Sequence, residues 1–387
     1  MKKILLVLLL FYSLKNISQI QFSVYSEISI VTAGAGDELF EAFGHSAIRI
    51  KDPVLQFDYV YNYGMFDFNA PNFYSNFTKG KLLYSLGRYP FHYFLESYKS
   101  DKRWVKQQVL NLTQEEKKAI FLFLENNATP ENATYLYDPF YNNCATKLRD
   151  ITEQVLGEKV TFNDDGIEKN LSFRELMNNE IHWNTWGSFG INLALGSKLD
   201  KKATTQQYMY LPKYVYQVFK NSTIFVKNQQ ENLVKREDVL LDFPDKEQKT
   251  GIFNPLLIFS LFSIFGIFIT YRDYKKRKIT KSLDVFLLFI TGLIGLLIVF
   301  LWFFTDHSTT PNNFNFLWAF ALNLFLIPKL MKSKKSKFLS NYFLFLTVLL
   351  LAIPVIWLSN LQLFPIAVIP LLILLVVRYL YLSISLK

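Results

Sequence analysis

The chain has 387 residues, of which 51% are apolar and 17% aromatic, and a formal net charge of +10. That length holds one sizeable domain plus something else, and both fractions are high for a purely soluble protein. The charge does not indicate nucleic acid, because eleven cations, more than the whole net charge, sit in two short segments: Arg272, Lys275, Lys276, Arg277, Lys278 and Lys281, then Lys329, Lys332, Lys334, Lys335 and Lys337.

The chain opens with Met1-Lys2-Lys3 and the apolar run Ile4 to Phe11, with a small residue near Ser18. This reads as a secretory signal peptide over residues 1–18, the alternative being a retained anchor helix with Lys15 close behind it. On either reading the globular stretch that follows is exported. We place its domain at 19–220, a polar juxtamembrane stalk at 221–251 and a membrane domain at 252–387.

Within the exported domain, His45 opens an alternating run in which His45, Ala47 and Arg49 share one face and Ser46, Ile48 and Ile50 the other. Asp52-Pro53 marks a turn, and Phe57 to Tyr63 forms a second strand ending at Gly64, so a hairpin carries His45 and Asn62 on neighbouring strands. Residues 113–126 read as a helix, with Thr113 as N-cap and Glu116 completing a capping box. After the break at Asp138-Pro139, Cys144 starts a helical spacing through Leu148, Ile151, Val155 and Leu156. Cys144 thus falls at a helix N-terminus, where free N–H groups and the helix dipole favour a thiolate. Tyr84, Tyr89, Phe91, Tyr93 and Phe94, near Lys81 and Arg88, fit either a bilayer-facing patch or ordinary core packing.

Five runs from Ile252 onward approach the length a bilayer core requires: Ile252–Tyr271, Val285–Phe304, Phe314–Leu330, Tyr342–Leu358 and Leu361–Val377. The cationic loops follow the first and third, so both are expected in the cytoplasm, with Thr305–Asn313 outside and the C-terminus cytoplasmic. Arg378 is expected to snorkel at that cytoplasmic end.

Cys144 is the one cysteine of the chain, so it forms no intramolecular disulfide, and His45 is one of four histidines. A lone thiol is most often a small buried hydrophobe, and a strand histidine a satisfied structural group. Paired, they make a kit for nucleophilic acyl chemistry. Asn62 is the preferred orienter of the imidazole and Asp58 competes with it. The sequence contains no zinc-type Cys/His spacing, P-loop or dinucleotide fingerprint.

Histidine before cysteine, as Gly44-His45 and then Asn143-Cys144, resembles the circularly permuted branch of the papain-like fold, relatives of NlpC/P60 peptidases and lecithin:retinol acyltransferase. A fuller resemblance covers nearly the whole chain. Phe43–Ala47, Val60–Phe68, Tyr141–Cys144, Gly196–Asp200 and His307 through Trp318 are similar to segments of the Lnb-type lipoprotein N-acyltransferases of Gram-negative bacteria.

That resemblance implies an α+β permuted papain-like periplasmic domain followed by an all-α membrane domain of five helices in the bacterial inner membrane. It implies a catalytic Cys144 and His45, with Asn62 as our choice of third member. Asn143, Tyr63, His307, Asn313 and Trp318 are candidate substrate contacts, with a solvated loop or an interface anchor as the alternative for the last three. The implied partners are a phospholipid acyl donor and a diacylated lipoprotein acceptor, with no metal or dissociable cofactor and no nucleic acid. A tethered cysteine peptidase or amidase cutting peptidoglycan peptides is the alternative enzyme, and a non-catalytic signalling or assembly module a third reading.

Overall fold

A computed structural model describes residues 21–226, 229–246, 249–333 and 335–387; the expected signal peptide lies outside them. The strands are β1 (Glu27–Ala33), β2 (His45–Asp52), β3 (Phe57–Met65), β4 (Leu83–Pro90), β5 (Val105–Leu110), β6 (Thr134–Leu136), β7 (Val160–Thr161), β8 (Thr223–Val226), β9 (Gln229–Asn232) and β10 (Val234–Leu241). Helices of the first half are α1 (Phe73–Thr78), α2 (Phe91–Ser100), α3 (Gln114–Asn127), α4 (Cys144–Leu156), α5 (Phe173–Glu180), α6 (Trp186–Ala194), α7 (Thr205–Tyr208) and α8 (Pro212–Asn221). The C-terminal helices are α9 (Pro255–Lys276), α10 (Lys281–Phe303), α11 (Asn323–Lys332), α12 (Lys337–Leu358) and α13 (Ile369–Ser385).

Seven strands form one sheet in the order β10-β5-β1-β2-β3-β4-β6, every neighbouring pair antiparallel. Alternation along β2 sends Ile48 and Ile50 to one face, where α3, α4 and α8 bury them, while Ala47 joins Val31, Val60, Phe91 and Phe94 on the other. Phe91 and Phe94 are therefore core residues of α2 and not a bilayer-facing patch. Thr113 caps α3 and Glu116 returns the capping box, the N–H···O bonds being 3.3 and 2.8 Å.

The expected stalk is corrected here. Thr223–Val226 and Gln229–Asn232 pair as a hairpin, and β10 adds to β5 with Val234 opposite Leu110 and Leu241 opposite Val105. Residues 221–226 and 229–241 thus belong to the folded domain. Gln107 and Gln108 donate to Asp238 and Glu237, at 2.8 and 3.0 Å, which accommodates the charges of an edge strand.

Among the described residues, four helical segments are long and apolar enough to cross a membrane: Pro255–Lys276, Lys281–Phe303, Lys337–Leu358 and Ile366–Ser385. The third expected span is not one helix. Phe314–Leu317 is a 3-10 turn, and only Asn323–Lys332 is α-helical, with Pro328 inside it. Asn315 and Asn323 explain the break: their side chains take polar partners, Asn323 between Thr291 (2.8 Å) and Tyr342 (2.6 Å), and interrupt the apolar run. Non-helical backbone at such depth persists only when other protein covers it. Gly295 of α10 does so, since a Cβ there would lie 2.0 Å from the Ala319 carbonyl oxygen. The broken segment still runs the height of α10, because at its end Lys281 donates to the carbonyls of Met331 and Ser333, both at 2.8 Å. Ser336 N–H meets Leu386 O at 2.8 Å, which puts the C-terminus at that same end of the bundle, away from the sheet domain.

Arg378 does not snorkel. It is fully buried, donating to Asp284 (2.5 and 3.0 Å), Asp273 (2.9 Å), Thr270 Oγ1 (3.3 Å) and Thr280 O (3.3 Å). A guanidinium has five N–H donors, so this network satisfies it and ties α9, α10 and α13 together.

The two halves are welded along a polar joint. Gly196 N–H donates to Thr309 O (2.9 Å), Ser197 N–H to Asn312 O (3.1 Å) and Asp306 N–H to Lys79 O (2.8 Å). Gly196 is required by close approach, since a Cβ there would lie 1.9 Å from Pro311 O. Rings of Trp186 and Phe189 on α6 pack on Phe259 of α9, at 5.7 and 5.1 Å between centroids. At the centre Arg174 is wholly buried and pairs with Asp200 (2.9 Å), which also accepts the Leu363 N–H (2.9 Å). Arg174→Ala would leave Asp200 as an uncompensated buried charge, at a cost of about 3–5 kcal/mol. Thermal unfolding of the full chain in detergent should show that loss, and Arg174→Ala/Asp200→Leu should recover part of it.

Candidate active site

Cys144 is the first residue of α4, and Asn143 sets its position. The Asn143 side-chain oxygen accepts the N–H groups of Ala145 (3.0 Å) and Thr146 (2.9 Å), and its amide nitrogen donates to Pro139 O (2.7 Å) and Tyr210 O (2.8 Å). Thr146 Oγ1 returns the capping box by accepting the Asn143 N–H at 2.8 Å. Every polar atom of Asn143 is thus spent on holding the turn, which makes it a positioning residue and not a substrate contact. One step upstream, Asp138 organises the approach, accepting N–H bonds from Phe140 (2.9 Å) and Tyr141 (3.0 Å) and the hydroxyl of Ser308 from the C-terminal half.

His45 lies at the start of β2 and Asn62 near the end of β3, as the hairpin predicts. His45 Nε2 meets Asn62 Oδ1 at 2.6 Å, and Asn62 Nδ2 donates to the Tyr89 hydroxyl at 2.9 Å. An amide oxygen only accepts, so Nε2 carries the proton and Nδ1 is left for the thiol. His45 and Cys144 lie close enough for each to shift the titration of the other. Tyr98 stacks on the imidazole at 6.5 Å and 17°.

Asp58, the competing orienter, is committed elsewhere through a bidentate pair with Arg49 at 2.8 and 2.7 Å.

Electrostatics separate the pair. Burial pushes the Cys144 thiol up, but the charge and hydrogen bond of His45 and the N–H groups of Ser46 and Ala145 outweigh it, so the thiol sits below its ordinary value. Burial pulls His45 down, and the Cys144 charge and hydrogen bonds to Cys144 and Asn62 carry it above its ordinary value. Each group thus favours the charged form of the other, in a site where Cys144 is only 8% exposed.

The remaining expected contacts are not brought to the thiol as polar groups. Tyr63 is buried and its hydroxyl accepts from Asn127 (2.9 Å). Asn313 is buried in the joint, donating to Leu193 O (2.8 Å) and Ala194 O (3.1 Å), and Trp318 donates to Asn315 (2.9 Å). These two belong to the seam between the halves, because a buried amide and indole need internal partners. His307 is half-buried beside Phe77, 6.5 Å between ring centroids.

Sequence reasoning missed Tyr89, Tyr98 and the Ser46 N–H. The pairing of Asn62 with Gly87 puts Tyr89 two residues along on the same face, a register that local sequence does not disclose. Gly64 was visible only as a strand end. Its φ of +91° favours glycine, and an added Cβ there would lie 3.7 Å from Cys144 Cβ, so β3 turns directly beside the nucleophile.

Asn62→Ala should lower turnover by about tenfold to a hundredfold, the cost of losing one orienting hydrogen bond (about 1–3 kcal/mol). Tyr89→Phe should act in the same direction with a smaller loss. Rates of acyl-adduct formation on Cys144, at matched folding by gel filtration, check both.

The chain matches the family model described as the Lnb N-terminal periplasmic domain over residues 19–179, and the Lnb transmembrane domain over residues 246–387. No curated protein and no solved structure matches it.

Proposed function

The chain belongs to the Lnb family, and from that premise we propose that it moves a fatty acyl chain from a membrane phospholipid, through a Cys144 thioester, to the α-amine of the N-terminal diacylglyceryl-cysteine of lipoproteins. The observation that carries this reading is the Cys144–His45–Asn62 constellation on a periplasmic domain hydrogen-bonded to a membrane domain. We read the sheet domain as a circularly permuted papain-like fold, in which the nucleophile opens a helix that packs on the histidine strand.

In the first half-reaction the Cys144 thiolate attacks an ester carbonyl of the phospholipid. The Cys144 N–H stabilises the oxyanion, since those of Ala145 and Thr146 are held by Asn143, and the His45 imidazolium gives its proton to the departing glycerol oxygen. A lysophospholipid leaves and Cys144 is acylated. In the second, the free α-amine attacks the thioester, neutral His45 takes its proton, and the thiolate departs to restore the pair. The product is a triacylated lipoprotein. Asn62 keeps Nδ1 facing sulfur in both halves.

Both substrates are lipids that leave a bilayer only at high cost, which suits a site built on a membrane bundle. The same argument favours transfer over a peptidase acting on soluble stem peptides. The positive loops at 272–281 and 329–337 fit a cytoplasmic far end, and with it a cytoplasmic C-terminus. Incubation with phospholipid vesicles and a diacylglyceryl-cysteine peptide should yield a triacylated peptide and an equal amount of lysophospholipid. Cleavage of stem peptides, with neither lipid product formed, would replace this reading by the hydrolase.

A further inference from the structure

A run of aromatic rings leads from the membrane-facing joint to the thiol. Phe77 lies 6.5 Å from His307, Phe73 6.2 Å from Phe77, Phe66 5.9 Å from Phe73, Tyr84 4.9 Å from Phe66 and Tyr137 4.3 Å from Tyr84, all between ring centroids. The last step is Gly64, where an added Cβ would lie 3.6 Å from Tyr137 and 3.7 Å from Cys144 Cβ.

The foot of the run is fixed to the membrane domain. Lys79 O accepts the Asp306 N–H at 2.8 Å, and Gly80 approaches so closely that a Cβ there would lie 2.5 Å from the His307 nitrogen. The loop it touches follows α10, one of the helices long and apolar enough to cross a bilayer. Along its outer edge Phe68, Tyr74 and Phe77 are exposed, at 48%, 69% and 48%. Between Phe68 and Thr78 there is no charged residue. A contiguous exposed apolar patch of this kind marks a binding surface.

We propose that the segment from Phe66 to Phe77 is the track on which a fatty acyl chain of a membrane lipid leaves the bilayer surface and reaches Cys144. The inference rests on the acyl-transfer reading above. A lipid chain is the occupant that fits, because the track begins at the outer end of the membrane bundle, carries no charge from Phe68 to Thr78, the exposed Asp67 being its one charged side chain, and ends at the nucleophile. Gly64, with no side chain of its own, lies between Tyr137 and Cys144 where the track arrives.

The test uses the full chain in phospholipid vesicles that carry a diazirine at the acyl terminus. In Cys144→Ala protein, photolysis should crosslink residues 66–77; crosslinks confined to the C-terminal helices would overturn the track and leave the patch to a protein partner. In the Phe68→Ser/Tyr74→Ser/Phe77→Ser variant, acylation of Cys144 from vesicles should fall by about tenfold or more, the expected loss when apolar ring contacts are removed. Alkylation of Cys144 by iodoacetamide in that variant reports an intact site. Unchanged acylation with an intact site would also overturn the track. Failure of the wild-type chain to become acylated at all is a separate outcome, which removes the acyl-transfer reading while the crosslinks still decide whether lipid docks.

Discussion

On the proposed reading, Cys144→Ala should abolish acyl transfer, and Cys144→Ser should lower it by a factor on the order of 10³ or more. No other cysteine exists in the chain to substitute for it. Alanine removes the nucleophile while keeping the capping of α4, because the bonds that hold the helix start come from Asn143 and Thr146. Serine keeps nearly the same shape, but its hydroxyl stays protonated where the thiol ionises, so the imidazolium no longer has an anion to face. Neither change should alter thermal unfolding by more than about 1 kcal/mol, since one small side chain is exchanged for another of similar size. A parallel loss of activity and folded yield would mean that Cys144 is a core residue. Product formation and unfolding temperature, measured on the same preparations, distinguish the two.

His45→Gln should cost a factor on the order of 10²–10⁴ at neutral pH, the usual contribution of a positioned acid–base group. It should also change the shape of the pH dependence. In the wild-type chain the thiol lies below its ordinary value and the imidazole above its own. Acylation therefore rises as the thiol loses its proton and falls as the imidazolium loses its own, which gives a bell whose two limbs belong to the coupled pair. With His45 gone, burial acts on Cys144 without its main counterweight, so the thiol moves up. The residual rate should then climb with pH and show no falling limb. Ultraviolet titration of the thiolate, in wild type and variant, follows the same shift without relying on turnover. A bell retained in His45→Gln would take the acid–base role away from His45.

Much of the site was legible because it depends on local rules. The alternation from His45, the turn at Asp52-Pro53 and the strand to Tyr63 place His45 and Asn62 side by side, as the hairpin does. The helix start at Cys144 follows from the break at Asp138-Pro139 and the apolar spacing after it. What escaped is long-range. β10 reads Val-Lys-Arg-Glu-Asp-Val-Leu-Leu, too charged to look like a strand, and is held by β5 more than a hundred residues earlier. Arg378 looked like an interface cation because Asp273 and Asp284, its partners, lie about a hundred residues away on other helices. Asn313 looked available for substrate until α6 took its amide, and Trp318 until it was buried on Asn315. In each case a polar group whose partner is distant in sequence was assigned to water or ligand.

The most direct test of acyl transfer is intact-protein mass spectrometry after incubation with phospholipid vesicles, with the amine acceptor withheld and then added. A fatty-acyl mass should appear on the Cys144 peptide, be absent in Cys144→Ala, and disappear when a diacylglyceryl-cysteine peptide is supplied, with the same mass gained by that peptide. A wild-type chain that remains unacylated, or an adduct that the acceptor does not discharge, would contradict the account.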